Sequence, residues 1–268
     1  MTITDGIVSR TVAEDTIQRQ ITLLKGMFMG DPEKFPLSLD ALTLAINSHG
    51  NQCRESGEPY ISHPISMACT AMALGLREDV LFATILLHDV CEDCGISIQN
   101  ISESTLVRNA VRCMTITQHG YEFTKADVKR RYFEDLLQCR EALICKALDR
   151  IDNLTSMIHV FDRQRALKNW RETYHLLMPI LKKAKEGPMI KDGNLIHMLR
   201  YMLRMNLKWA AGYYEFTYEE MNNSYGSMSF EQKALSKGTA EQSPGDLPEF
   251  REPPFMPVKR VGDATDKQ

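Results

Sequence analysis

Nowhere does the chain of 268 residues contain an uninterrupted apolar run of the roughly 18 residues that a membrane span requires. The opening segment, MTITDGIVSRTVAEDTIQRQ, lacks the basic start and apolar centre of a secretory leader, so a cytoplasmic location is expected. Charge of one sign is missing too: 32 Lys and Arg stand against 35 Asp and Glu, a net charge of −3. No general attraction for nucleic acid or a membrane surface follows, and an anionic ligand must be met by local positive groups or by a metal. Cysteines number seven, an odd count scattered through helical patterns, which fits reduced thiols better than a disulfide framework. Cys91 and Cys94 form a C-x-x-C, but no second C-x-x-C or H-x-x-x-H completes a zinc site and no strand-turn-helix pattern supports a thioredoxin. Strand-like alternation is absent as well, which leaves an all-α chain.

What is present is helical periodicity. Apolar positions from Val12 to Phe28 recur near a 3.6 spacing and stop at Gly30-Asp31-Pro32, and Leu37 to His49 reads as a second helix capped near Ser38 and Asp40. The turn-rich segment Gly50 to Pro64 breaks the pattern and carries Arg54, Glu55, Ser56, Glu58, Tyr60 and His63, a dense polar set for a connector. Further helices are expected from Pro64 to Gly75, from Arg77 to His88, within Ser97 to Cys113, and over Asp127 to Leu137. Arg140 to Met157, Asp162 to Lys185 and Asn194 to Met221 complete the pattern. Residues 1–221 read as one domain. Residues 222–268, rich in Ser, Gly, Glu, Lys and Pro, read as a flexible tail with Phe250 and Phe255 as docking candidates.

The stretch Leu81 to Asp93, LFATILLHDVCED, is the densest in chemistry. Its apolar run ends in His88, Asp89, Glu92 and Asp93, and helical spacing places His88 and Glu92 on one face. Taken alone, it reads equally well as a metal site or as a solvated helix end. Asp149, inside the apolar string KALDRIDNL, and His63, at a helix start, tip the balance, because a buried unpaired carboxylate is costly. His63, His88, Asp89 and Asp149 together form a mixed nitrogen and oxygen set suited to Mn, Fe, Zn or another first-row divalent ion, and less to Mg. Such an ion acidifies bound water and neutralises phosphate charge. Glu92, one turn after His88, is placed to orient or deprotonate that water, and Asn153, one turn after Asp149, faces the same pocket.

The order H, HD, D resembles the HD-type metal-dependent phosphohydrolases. With QCRESGEPYISHP, LLHDVCED and ICKALDRIDNL included, the chain resembles, over roughly residues 40 to 185, the hydrolase domain of the RelA/SpoT family. That resemblance implies an HD-domain helical bundle and removal of the 3′ pyrophosphate from guanosine tetra- and pentaphosphate, (p)ppGpp, as in the stringent response. The stretch after residue 210 looks too short for the family's synthetase domain, so a small stand-alone alarmone hydrolase is expected. The resemblance further implies His63, His88, Asp89 and Asp149 as ligands of one Mn²⁺, and Glu92 and Asp93 as the catalytic acidic pair. It makes Arg54 and Ser56 the guanine-holding loop residues and Asn153 a nucleotide contact, with Ser156 where the family usually has threonine.

Three departures bear on substrate. Asp152 precedes Asn153 where the family commonly has histidine, which brings a negative charge toward an anionic ligand. Glu55 follows the loop arginine where a basic residue is common. Cys113-Met114-Thr115-Ile116 lacks the lysine of the family's V-T-K element. An adenosine alarmone or the 2′-phosphate of NADPH are therefore alternative substrates. An antitoxin-like partner of an alarmone synthetase is the non-catalytic alternative. A nucleotide is the expected small-molecule partner, without nucleic acid or membrane, and oligomeric state is left open.

Overall fold

A computed structural model describes residues 3–115 and 125–222; the expected tail and Ile116 of the V-T-K comparison lie outside them. Among the described residues the regular structure is helical, apart from an isolated bridge between Cys53 and Pro59, which bears out the all-α expectation. The chain runs through α1 (Ile3–Gly30), α2 (Pro36–His49), α3 (Ser62–Ala73), α4 (Asp79–Leu87), α5 (Val90–Asp93) and α6 (Thr105–Met114). It continues through α7 (Lys125–Asp135), α8 (Arg140–Ser156), α9 (Arg163–Glu172), α10 (Met178–Glu186), α11 (Gly193–Tyr213) and α12 (Tyr218–Asn222). None of the described helices is long and apolar enough to cross a membrane. All seven cysteines are free thiols.

Helix α4 is the centre of the bundle because it is apolar on every side. Leu81, Phe82, Ala83, Ile85, Leu86 and Leu87 are fully buried, and α2, α3, α6 and α8 pack around them. Its first residue also caps a neighbour: Asp79 accepts from the backbone N–H of Leu37 at 3.0 Å and of Ser38 at 2.7 Å. The start of α2 is thus satisfied by a carboxylate from α4, not by the expected local caps Ser38 and Asp40, an anion at a helix N-terminus where it contributes about 1 kcal/mol.

Helix α8 lies against α3 and α11 and buries Leu143, Ile144, Leu148, Ile151 and Leu154. Asp149, Asp152, Asn153 and Ser156 occupy its remaining stripe at i, i+3, i+4 and i+7. Two helices expected to be continuous are interrupted. Between α9 and α10 the chain makes a π turn, Thr173–Leu177, ahead of Pro179, whose ring lacks the N–H an unbroken α-helix needs. After α11 the chain breaks at Glu215, which takes a left-handed conformation (φ 53°), before α12 begins.

Candidate metal and nucleotide site

The central helix ends one residue before the histidine. His88 and Asp89 form a turn between α4 and α5, within a residue of the expected helix end at His88. Consecutive residues of an α-helix project about 100° apart. Both residues keep right-handed helical backbone angles, and it is their side chains that close the gap, with Asp89 Oδ2 within 2.9 Å of His88 Nε2.

His63, the second residue of α3, and Asp149 of α8 meet them there. His63, His88 and Asp149 are buried and offer ligand atoms within 4.8 Å of one another. Asp89 completes the set from the more open side: its Oδ2 lies 2.9 Å from His88 Nε2 and 3.7 Å from His63 Nε2. Asp149 Oδ1 lies 3.4 Å from His63 Nε2. The four sequence-predicted ligands are therefore brought together.

The hydrogen bonds behind the imidazoles show which nitrogen each presents. His88 Nδ1 donates to the Ile85 carbonyl at 2.9 Å, which leaves Nε2 as a buried lone pair without a hydrogen-bond partner. His63 Nδ1 donates to Asp152 Oδ2 at 2.7 Å. The His88 lone pair and the carboxylates of Asp89 and Asp149 converging on one buried point call for a positive charge among them, from a protonated His63 or a bound cation. Two imidazole nitrogens with two carboxylates, each histidine held from behind by an oxygen, suit a first-row divalent ion.

Charges around this point are strongly coupled. Burial alone would push the Asp149 carboxyl up, but the Lys146 ammonium, 2.7 Å away, and His63 outweigh it and hold it well below the usual carboxylate range. Burial disfavours a charged His63, yet Asp149 and Asp152 together raise it to about 9. Tyr60 donates to Asp89 Oδ2 at 2.7 Å, and burial together with Asp89 and Asp93 pushes its phenol far above the ordinary value.

A cavity of about 460 Å³ opens from this cluster, within the range of small-ligand and cofactor pockets. Arg54 lies on its wall, with its guanidinium donating to Asp152 at 2.9 Å, Asn153 Oδ1 at 3.3 Å and Ser156 Oγ at 3.0 Å. Asn153 in turn donates to Asp149. Arg54, Asn153 and Ser156 thus form one connected group that reaches Asp149 and the candidate ligand cluster. Ser56 lines the cavity on the loop that turns at Gly57 (φ +86°), and Asp93 lines it from the end of α5. Glu92 is exposed and is not among the lining residues.

Asp152 takes a different place from the one expected of it. Its carboxylate spans His63 and Arg54, which together outweigh burial and hold its pKa below the ordinary value, so its charge is matched within the protein. Its spacing of three from Asp149, which places both on one face of α8, was the available signal. Tyr60 and Lys146 also carry roles that sequence reasoning left unassigned; Lys146, three residues before Asp149, was detectable in the same way.

The family model described as HD domain matches residues 41–179, just over half of the chain, and the chain belongs to that family. Within it, the chain is 31% identical over 143 residues to the guanosine-3′,5′-bis(diphosphate) 3′-pyrophosphohydrolase of Aquifex aeolicus (strain VF5), a match covering 52% of this chain and 20% of that relative. It is 29% identical over 150 residues to the probable enzyme of the same name from Synechocystis sp. (strain ATCC 27184 / PCC 6803 / Kazusa), covering 53% of this chain and 19% of the relative. It is 28% identical over 147 residues to the bifunctional (p)ppGpp synthase/hydrolase SpoT of Escherichia coli (strain K12), covering 52% and 20% respectively. These matches bear out the RelA/SpoT resemblance. They span only about a fifth of each relative's length.

Proposed function

We propose that this chain is a metal-dependent hydrolase that removes the 3′ pyrophosphate of guanosine tetra- and pentaphosphate, releasing GDP or GTP and pyrophosphate and so lowering alarmone levels in the cytoplasm. The observation that carries this reading is the convergence of His63, His88, Asp89 and Asp149 at the inner end of a cavity whose wall presents Arg54. The names of the similar relatives point to the same reaction. Mn²⁺ is the proposed ion, with residues 1–221 as the hydrolase unit and 222–268 as a tail.

When bound, a divalent ion supplies Lewis acidity toward phosphate oxygens and lowers the pKa of water. The remaining work belongs to side chains of this chain. His63 and His88 present Nε2 because Asp152 and the Ile85 carbonyl hold Nδ1. Glu92 and Asp93 are proposed to take up and return the proton of the attacking water. Arg54 offers a flat guanidinium to a base, and Asn153 ties that guanidinium to the metal carboxylate Asp149. Ser56 and the hydroxyl of Ser156 supply further hydrogen bonds to the nucleotide.

Pyrophosphate release from ppGpp by the purified chain with Mn²⁺ is the direct test; metal-replete protein that releases none overturns the proposal. The departure at Glu55 favours a second reading with the same chemistry and another nucleotide. A panel of ppApp, NADPH and ppGpp, with and without Mn²⁺, separates the two. An antitoxin-like role without catalysis predicts instead that protection against an alarmone synthetase survives Asp89→Ala.

A further inference from the structure

The cations lining the cavity differ in what holds them. Lys146 is paired with Asp149 at 2.7 Å, Arg150 with Glu172 at 3.1 Å and Arg54 with Asp152 at 2.9 Å. All six of these side chains are 15% exposed or less. Withdrawing any of them takes a partner from a buried carboxylate, which is expensive. Arg165 is different. It donates to both oxygens of Glu55 at 2.5 and 2.6 Å, but the two side chains are 46% and 56% exposed. Exposed ion pairs contribute little and exchange readily with solvent or ligand.

The partners are also unequal in how firmly they are mounted. Arg165 sits in the first turn of α9, its backbone N–H bonded to Asp162 Oδ1 at 2.8 Å, and its guanidinium lies 3.8 Å from the centroid of Phe161. That stacking holds the cation in place whether or not Glu55 is bound to it. Glu55 instead projects from the loop that turns at Gly57. Both residues, with Phe161, line the cavity. The arrangement is a fixed cation covered by a carboxylate that can leave.

We propose that Arg165 on its Phe161 platform is a phosphate receptor at the cavity mouth, and that Glu55 is its resident competitor, displaced when a nucleotide phosphate arrives. The proposal rests on the reading of the cavity as a nucleotide site. A nucleotide with phosphate at both ends can then place one group at the metal end and the other on Arg165, whereas a nucleoside cannot displace Glu55. Glu55 thereby sets the charge a ligand must carry to be held.

Titration calorimetry of the full chain with Mn²⁺ and guanosine 3′,5′-bisphosphate tests this, with guanosine as the phosphate-free control. Arg165→Ala is expected to weaken binding of the bisphosphate by about tenfold, the scale of one hydrogen-bonded charge contact. Glu55→Gln is expected to tighten it by roughly threefold. In the Arg165→Ala background the Glu55→Gln gain should vanish, because the competitor then has nothing to cover. Arg165→Lys, which keeps the charge and loses the flat stacking surface, should fall between parent and Arg165→Ala. Parent-like affinity in Arg165→Ala, or a Glu55→Gln gain that persists without Arg165, overturns the proposal. Binding that follows the cycle while ppGpp remains uncleaved overturns the alarmone reading alone. Failure of the bisphosphate to bind the parent overturns both.

Discussion

At the inner end of the cavity, His63, His88 and Asp149 are buried, come from three separate parts of the chain and are each held from behind by a second group. At the mouth, Glu55 and Arg165 are exposed and pair with each other, Glu55 on a turn and Arg165 stacked on Phe161. The inner end cannot change one residue without stranding another, whereas the mouth can change its charge at small energetic cost. Chemistry placed at the first and recognition at the second would let a family keep its reaction while altering its ligand. The chain's departures fit that division: Glu55 sits at the mouth, and Asp152, which lies inside, is fully paired.

Breaking the inner end should have the largest consequence. Asp149→Asn is expected to abolish hydrolysis and bound metal together, and because it leaves Lys146 buried without its partner, to cost roughly 3–5 kcal/mol of stability. Metal analysis and thermal unfolding check both; retained metal would show that Asp149 is not a ligand. Glu92→Gln is the next largest, a loss of about 10²–10⁴ in turnover with metal content unchanged if this exposed carboxylate handles the proton. Turnover near the parent's would transfer that role to Asp93, which lines the cavity.

Asp152→Ala removes the group behind His63 and should weaken metal affinity by about 10–100-fold, while also freeing Arg54. A metal titration that matches the parent would show that Asp152 does not support His63 as a ligand. The smallest effect is one of pH. In the metal-free chain, burial opposes a charged His63, but Asp149 and Asp152 raise its pKa from 6.5 to about 9. The folded state thus holds a proton that the unfolded chain releases; this stabilisation is complete below pH 6.5 and is lost as pH rises through 9. An ion must displace that proton, so metal affinity should climb with pH up to about 9, with proton uptake by buffer visible in calorimetry at neutral pH. Metal binding at pH 7 without proton release would contradict that state of His63.

Much of the fold could be read in the chain because it depends on neighbours in sequence. Apolar spacing placed α2, α8 and most of α4, and Gly50 placed the end of α2. The metal donors were legible for a related reason: a carboxylate inside KALDRIDNL has no cheap explanation except a partner. The reading failed where the partner is distant. Nothing in Ser38 or Asp40 shows that the cap of α2 comes from Asp79, and nothing between Leu81 and Asp93 shows that Asp93 lines the cavity while Glu92 does not.

By itself, then, the sequence determined the class of fold, the donor types and the loop motif, since these follow from local periodicity and from the cost of burying charge. Only the tertiary structure decided who holds whom. Asp152 reads as a stray negative charge until His63 and Arg54 are seen on either side of it, and Glu55 reads as a lost cation until Arg165 appears across the cavity mouth. Pairing depends on distances of a few ångströms between residues about a hundred positions apart, and such distances exist only once the helices have packed.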